Sequence, residues 1–301
     1  MIPSRQRIWK SSPAQALCAR VGTTDPVEGI RRSARDLIAR AGSSGPPFSP
    51  FAMAGVLNVT KVKFKPIGFD ACLIPTDDGF EVLIRSDHPK SRQNFSMAHE
   101  LGHLLFMQAT GILKEARRER NIGSNPVDQE EEYLCDVAAS ELLLPSPFFE
   151  ESVRQAGPSL AEVMRLANLY QTSLQATIRR FVGSGVWRCF FLIWRLDSRE
   201  QRRSLGLESI FANGRLDVPK DEVALLDESD VLRALENGTI VGRAEWLKLG
   251  DFRAKYYMES IGIGSRARRR ILSMVVTEPA AGLWHRARTS SNPQLNLFVR
   301  R

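Results

Sequence analysis

Residues 94–106, NFSMAHELGHLLF, set His99 and His103 four positions apart with Glu100 beside the first. Positions i and i+4 of an α-helix lie on one face a turn apart, so the two imidazoles can aim at one point while Glu100 stands next to it. Phe95 and Met97 before the pair and Leu104-Leu105-Phe106 after it are core-type residues, and Ser91 is offered as a helix cap. The pattern predicts a packed helix over 91–108 with a metal-binding face. A bare HExxH also occurs by chance on half-buried helices, so the reading depends on a third ligand.

A catalytic zinc site needs three protein ligands and an open fourth position. Downstream, DQEEEYLCDVAASELLLP (128–145) offers Glu132 and, one helical turn on, Asp136. Glu132 fits the third ligand. Asp136 is placed to accept a hydrogen bond from a ligand histidine and so to fix its tautomer. Glu130 and Glu131 compete for the ligand role, but only Glu132 has an acid at i+4. The alternative for the acidic run is a solvated helix start whose carboxylates complement the helix dipole. Zinc suits these ligand types, with manganese as the alternative.

Together, NFSMAHELGHLLF and the phrase AASELLLP (138–145) resemble the ImmA/IrrE-type metallopeptidases, which are gluzincin-like, over roughly residues 26–182. The resemblance implies His99, His103 and Glu132 as metal ligands and Glu100 as the catalytic acid/base of peptide-bond hydrolysis. Where such proteins usually have an alanine and a phenylalanine on the second helix, this chain has Cys135 and Ala138; Cys135 is read as a small buried residue in the alanine slot, the alternative being a thiol that approaches the metal. Family members typically cleave a helix-turn-helix transcriptional repressor at one site, in a stress or mobile-element response, and such a repressor is the implied protein substrate. A different class is a metal-containing regulatory binding protein, of the sensor or toxin–antitoxin kind, whose ion is structural. Glu100 favours the enzyme, because a structural site has no use for a carboxylate beside an open coordination position. His88, Tyr133 and Tyr170 are candidates to stabilise the oxyanion, and none is assigned.

Working outward, Asp25-Pro26 and Gly42 bracket an amphipathic helix with Ile30, Ala34, Leu37 and Ile38 on one face. A Ser/Gly/Pro linker follows, then strand-like runs VTKVKFKPI, ACLIP and FEVLIR, broken by the turn TDDG, for which a small antiparallel sheet is expected. Residues 159–182 have the cadence of a helix-turn-helix, with Leu160, Val163, Leu166 and Ala167 on one face, a YQTS turn capped by Thr172 or Ser173, and Arg179 and Arg180 at the end of the second helix. Those arginines are candidate DNA or partner contacts, although a helical buttress is preferred to DNA binding. From Trp187 the texture changes; WRCFFLIWRL reads as a buried strand and the remainder as mixed α and β.

The expected fold class is α+β, in four stretches: a basic arm (1–24), a zincin-like metallopeptidase domain (25–145), a helix-turn-helix-like bundle (146–184) and a C-terminal α/β domain (185–301). The formal charge of +8 is concentrated at the ends, as in SRARRRIL from 265 and the terminal FVRR, while DQEEE is acidic. Basic ends can attract phosphate backbones or an acidic partner. The four cysteines, Cys18, Cys72, Cys135 and Cys189, form no CxxC pair, so reduced thiols are expected. No apolar run approaches the roughly 20 residues of a membrane span and the first residues lack a signal peptide's apolar core, so a cytoplasmic location is expected.

Overall fold

The computed structural model describes residues 9, 12–110, 126–197, 204–213, 219–227, 229–264 and 269–277. The terminal FVRR and much of SRARRRIL therefore lie outside the described residues. The chain is α+β and divides into two compact units, Met1–Phe149 with Ala167–Ala176, and Glu150–Leu166 with Thr177–Arg301, so that residues 146–184 are shared between them. No helix among the described residues is long and apolar enough to cross a membrane.

In the first unit, part of the stretch read as a basic arm folds as helix α1 (Ser12–Val21), which buries Ala14 and Leu17. Helix α2 (Pro26–Arg40) starts as its sequence requires. Asp25 accepts a hydrogen bond from the Val27 N–H at 3.0 Å, Pro26 occupies the first turn, and Gly42 ends the segment at φ +67°. Ile30, Ala34, Leu37 and Ile38 are all buried. A short helix α3 (Pro50–Met53) and a 3-10 turn (Ala54–Leu57) lead to strands β1 (Val59–Lys65), β2 (Ala71–Thr76) and β3 (Gly79–Arg85).

The sheet order is β1-β3-β2, and this corrects the expectation of a fully antiparallel sheet: β2 and β3 form an antiparallel hairpin, but β1 pairs with β3 in parallel. The Asp77-Asp78 turn commits β2 to one edge of β3 and leaves the other edge for β1. The link between β1 and β2 crosses the end of β3, where the Ser86 N–H donates to Lys65 O and the Arg85 N–H donates to Asp70 O, both at 2.9 Å. Gly79 is required at the start of β3. Its φ is +139°, and a Cβ there would lie 2.4 Å from the carbonyl oxygen of Asn58.

Phe80, Val82 and Ile84 alternate onto the buried face of β3, against which helix α4 (Lys90–Thr110) packs. Helix α4 begins one residue before Ser91, so Ser91 is in its first turn and not its cap; the Pro89 carbonyl accepts from the Arg92 and Gln93 N–H groups instead. Helix α5 (Pro126–Leu143) lies against α4 and α2. The buried Glu141 at its end accepts from Arg35 of α2 at 3.3 Å and from the Ser146 N–H at 3.1 Å. A buried carboxylate must find such partners, and here they also fix the turn that leaves α5.

Helices α6 (Phe148–Ala156), α7 (Leu160–Leu169) and α8 (Leu174–Gly183) follow. The expected turn between α7 and α8 is present: Gln171 sits at φ +52° and Ser173 Oγ accepts from the Ala176 N–H. The second unit is built on a six-stranded sheet of order β5-β4-β9-β8-β7-β6, comprising β4 (Cys189–Asp197), β5 (Ser204–Ala212), β6 (Val223–Leu225), β7 (Val241–Leu249), β8 (Phe252–Ile263) and β9 (Arg270–Val276). The strand expected in WRCFFLIWRL is β4, which starts at Cys189 and is buried over Cys189–Trp194. Every pairing is antiparallel, so this mixed region is a meander-like sheet with one helix, α9 (Ser229–Asn237), among its described residues and not a βαβ array. Phe190, Leu192, Trp194, Leu247, Met258 and Val275 form its core. Trp194 Nε1 donates to Ser273 Oγ at 3.0 Å, which satisfies the one polar atom that this large side chain takes inside. Glu259 of β8 accepts from the Leu160 N–H at 2.7 Å, and its burial pushes the carboxyl up from its ordinary range.

Candidate metal centre

Helices α4 and α5 bring the sequence-predicted site residues to one place. Burial of Met97, Leu101, Leu104 and Leu105 fixes the roll of α4 and turns His99 and His103 toward α5, where burial of Leu134, Ala138 and Leu142 fixes the partner face. The two imidazole rings stand edge to face with centroids 5.0 Å apart. His99 Nε2 lies 3.2 Å from one carboxylate oxygen of Glu132, and His103 Nε2 lies 3.6 Å from the other. The second nitrogen of His99, Nδ1, is 2.9 Å from Asp136 Oδ1. Glu100 is buried beside the pair.

These separations can be tested against the needs of an ion. Two donors about 2.1 Å from a tetrahedral metal lie roughly 3.4 Å apart, and the Nε2-to-carboxylate separations of 3.2 and 3.6 Å bracket that value. The donor set fits. Asp136 fits the outer role equally, because a bond at Nδ1 fixes the tautomer that leaves Nε2 to face Glu132.

Two neighbours that the sequence placed second, Cys135 as a small buried residue and Glu131 as a rival ligand, also stand at the pair. Cys135 is fully buried, its Sγ is 3.4 Å from His103 Nδ1, and with His99 and His103 it forms a three-residue group whose donor atoms lie within 4.8 Å of one another. Burial, and then the carboxylates of Glu131, Glu132, Glu100 and Asp136, push its thiol well above the usual range. Glu131, also buried, lies 3.5 Å from the same His103 Nδ1. His103 thus shows one nitrogen to Glu132 and the other to Cys135 and Glu131.

Gly102, inside the HExxH helix, is the neighbour that the sequence reading missed. A Cβ there would stand 3.0 Å from Cys135 Cα and 3.2 Å from its carbonyl oxygen, so the missing side chain lets the α5 backbone approach the histidines closely. Replacing Gly102 with Ala removes a helix-disfavouring glycine, worth up to about 1 kcal/mol, but forces backbone apart, at a cost of about 1–3 kcal/mol. The expected outcome is a net loss of stability in thermal unfolding together with weakened metal binding; an unchanged midpoint would show that the two helices yield freely.

The three oxyanion candidates are dispersed. Tyr170 is buried against Phe48 and Phe149, with ring centroids 6.2 and 5.2 Å away, and serves the core. His88 faces Asp70 at 3.3 Å. Tyr133 is exposed and 6.2 Å from the ring of Trp9. Arg179 is exposed with its guanidinium 5.5 Å from the Phe211 ring centroid, while Arg180 is partly buried.

The fold and the cluster define an α+β protein in which two helices bring two histidines, Cys135 and several carboxylates together, His99, His103 and Cys135 forming a group able to hold a metal. Residues 74–182 match the family model of the IrrE N-terminal-like domain, peptidase family M78, and in that stretch the chain is similar to the ImmA/IrrE-type family. The chain is 30% identical over 158 residues to the radiation response metalloprotease IrrE of Deinococcus radiodurans, which is 51% of this chain and 47% of that one. It is 29% identical over 143 residues to the protein of the same name from Deinococcus deserti, 46% of this chain and 50% of that one. The chain therefore spans about half the length of the curated relatives it matches. A Mycobacterium tuberculosis transcriptional regulator aligns in structure at a TM-score of 0.49 and 10% identity, over 88% of this chain and 79% of that chain.

Proposed function

We propose that this chain is a metal-dependent endopeptidase in which His99, His103 and Glu132 hold one divalent ion, zinc by ligand type with manganese as the alternative. The observation that carries the reading is the convergence of two Nε2 atoms on the two oxygens of Glu132. When bound, such an ion polarises a peptide carbonyl and brings the pKa of water to about 7. Glu100, buried beside the histidines, takes the proton from the attacking water at its carboxylate and returns it to the leaving amide nitrogen. Asp136 accepts from His99 Nδ1 and keeps that ring aimed.

The α4–α5 arrangement is accordingly read as zincin-like, and the α7–turn–α8 segment as a helix-turn-helix-like bundle with a structural role. The contact of Arg179 with Phe211 supports that role, because it engages one of the two arginines that DNA would need. The relatives' name of metalloprotease supports a protein substrate, and the family resemblance of the two motifs implies that this substrate is a helix-turn-helix transcriptional repressor cut at one site. The other reading, a regulatory protein that binds without cleaving, is supported by the buried Cys135, which gives the two histidines a second donor set of the kind that closes structural zinc sites. The deciding experiment incubates the full chain with a purified repressor of this class and with unfolded casein, before and after chelation. Cleavage of the repressor at one site, lost on chelation and restored by zinc, is the expected result. Stoichiometric binding with both proteins left intact would establish the regulatory reading instead.

A further inference from the structure

The six-stranded sheet of the second unit has a second face whose chemistry the metal centre does not use. Near β4 that face is covered: Phe191 meets Phe181 at 6.0 Å, and Glu259 is taken up by the Leu160 N–H. Toward β7 and β8 it opens. Side chains alternate along a strand, so Gly242, Ala244, Trp246 and Lys248 of β7 share this face with Arg253, Lys255 and Tyr257 of β8. The register sets Ala244 opposite Tyr257, Trp246 opposite Lys255 and Lys248 opposite Arg253.

Trp246 is 49% exposed, and its ring meets no other ring among the described residues. Its neighbours along β7 are low, and the half-exposed Leu226 lies beside it on the β6 side, where the Leu226 N–H donates to Trp246 O. Ala244 is small, and Gly242 is covered by the end of the Tyr257 ring, whose Oη would stand 2.5 Å from a Cβ at that position. Lys248, Arg253 and Lys255 have no acidic partner among the described residues. The one acid that alternation along β7 and β8 places among them, Glu259, is buried and already bonded, while the exposed Glu222 and Asp251 lie at the β6 and turn end and form no ion pair with the three cations. A half-exposed indole beside low neighbours, bordered by three uncompensated cations, is a combination that neither a solvated sheet nor an aggregation-blocking edge requires.

We propose that this face binds single-stranded nucleic acid, with a base stacked on Trp246 and the phosphates tracked by Lys248, Arg253 and Lys255. Stacking on exposed aromatics beside a basic track is the chemistry by which unpaired strands are held without sequence readout. A duplex hides its base faces and needs a protruding helix or ribbon to enter its groove, and this face offers neither. An acidic peptide would satisfy the cations but leave the indole unexplained. The surface is distinct from Arg179 and Arg180, and its action does not depend on the metal centre.

The test uses the full chain and a fluorescent oligothymidylate of about 20 nucleotides, followed by anisotropy between about 50 and 200 mM salt. Trp246→Ala is expected to weaken binding roughly tenfold or more, with Trp246→Phe retaining most of the affinity. Replacing Lys248, Arg253 and Lys255 together with alanine is expected to weaken binding and to flatten the slope of log affinity against log salt by about 2, the counterions of three phosphates on a single strand. Circular dichroism checks the fold of each variant, and the lysine and arginine variant carries the test if Trp246→Ala unfolds. Absence of binding at low salt overturns the proposal. So does binding that is unaltered in both variants, which would belong to the basic ends, or a duplex or polyglutamate that binds as tightly as the oligonucleotide.

Discussion

Replacing Glu100 with Gln is expected to leave about one ion per chain in place while peptide hydrolysis falls by roughly 10²–10⁴-fold, the contribution typical of a positioned general acid–base group. The substitution keeps side-chain volume and one acceptor oxygen, so the packing around this buried position and the approach of α4 to α5 are preserved. What it removes is the ability to take a proton from water and return it. Metal content and cleavage must be measured on the same preparation. Loss of both would make Glu100 a structural member of the cluster, and retention of both would move the proton-transfer role to another group.

The second large effect concerns the donor set. Wild-type protein is expected to purify with about one zinc per chain, and His99→Ala and Glu132→Ala are expected to lose it, because each removes one of three ligands. The loss should exceed the 10- to 100-fold drop in affinity expected for Asp136→Asn, which removes only the partner that orients His99. Cys135→Ala separates the alternatives. His103 presents Nε2 to Glu132 at 3.6 Å and Nδ1 to Cys135 at 3.4 Å, and one ring offers one nitrogen to one ion. If Glu132 completes the site, Cys135→Ala keeps its zinc; if it loses zinc while Glu132→Ala keeps it, the histidine–cysteine set holds the ion. Elemental analysis of the four variants decides between these outcomes. Since burial and surrounding carboxylates hold the Cys135 thiol high, its proton must be displaced before the sulfur can bind a metal.

Much of this site was legible because helical spacing is local. Four residues make one turn, so His99 with His103, and Glu132 with Asp136, could be assigned to common helix faces before any fold was known. The Asp25-Pro26 start and Gly42 stop of α2 were legible for the same reason: a cap acts on its own first turn. The pairing of the first sheet was not. Alternation along VTKVKFK shows which side chains share a face but not which edge of β3 the strand joins, and so the parallel β1–β3 pair emerged only in three dimensions. The C-terminal sheet shows the same limit, since its register depends on partners distant in sequence.

By itself the sequence determined the residue types and their helical phase: two imidazoles one turn apart, a carboxylate beside them, and an acid pair on a second helix. The tertiary structure alone decided which atoms meet. The bare surface of Gly102 sets how near α5 can come, and that distance chooses Glu132 for the two Nε2 atoms, leaves Glu131 and Cys135 to His103 Nδ1, and gives Asp136 to His99. The physical reason is range. Helical phase is fixed by hydrogen bonds four residues apart, whereas the approach of two helices joined by a long connection is fixed by the shapes of surfaces that become neighbours only when the chain has folded.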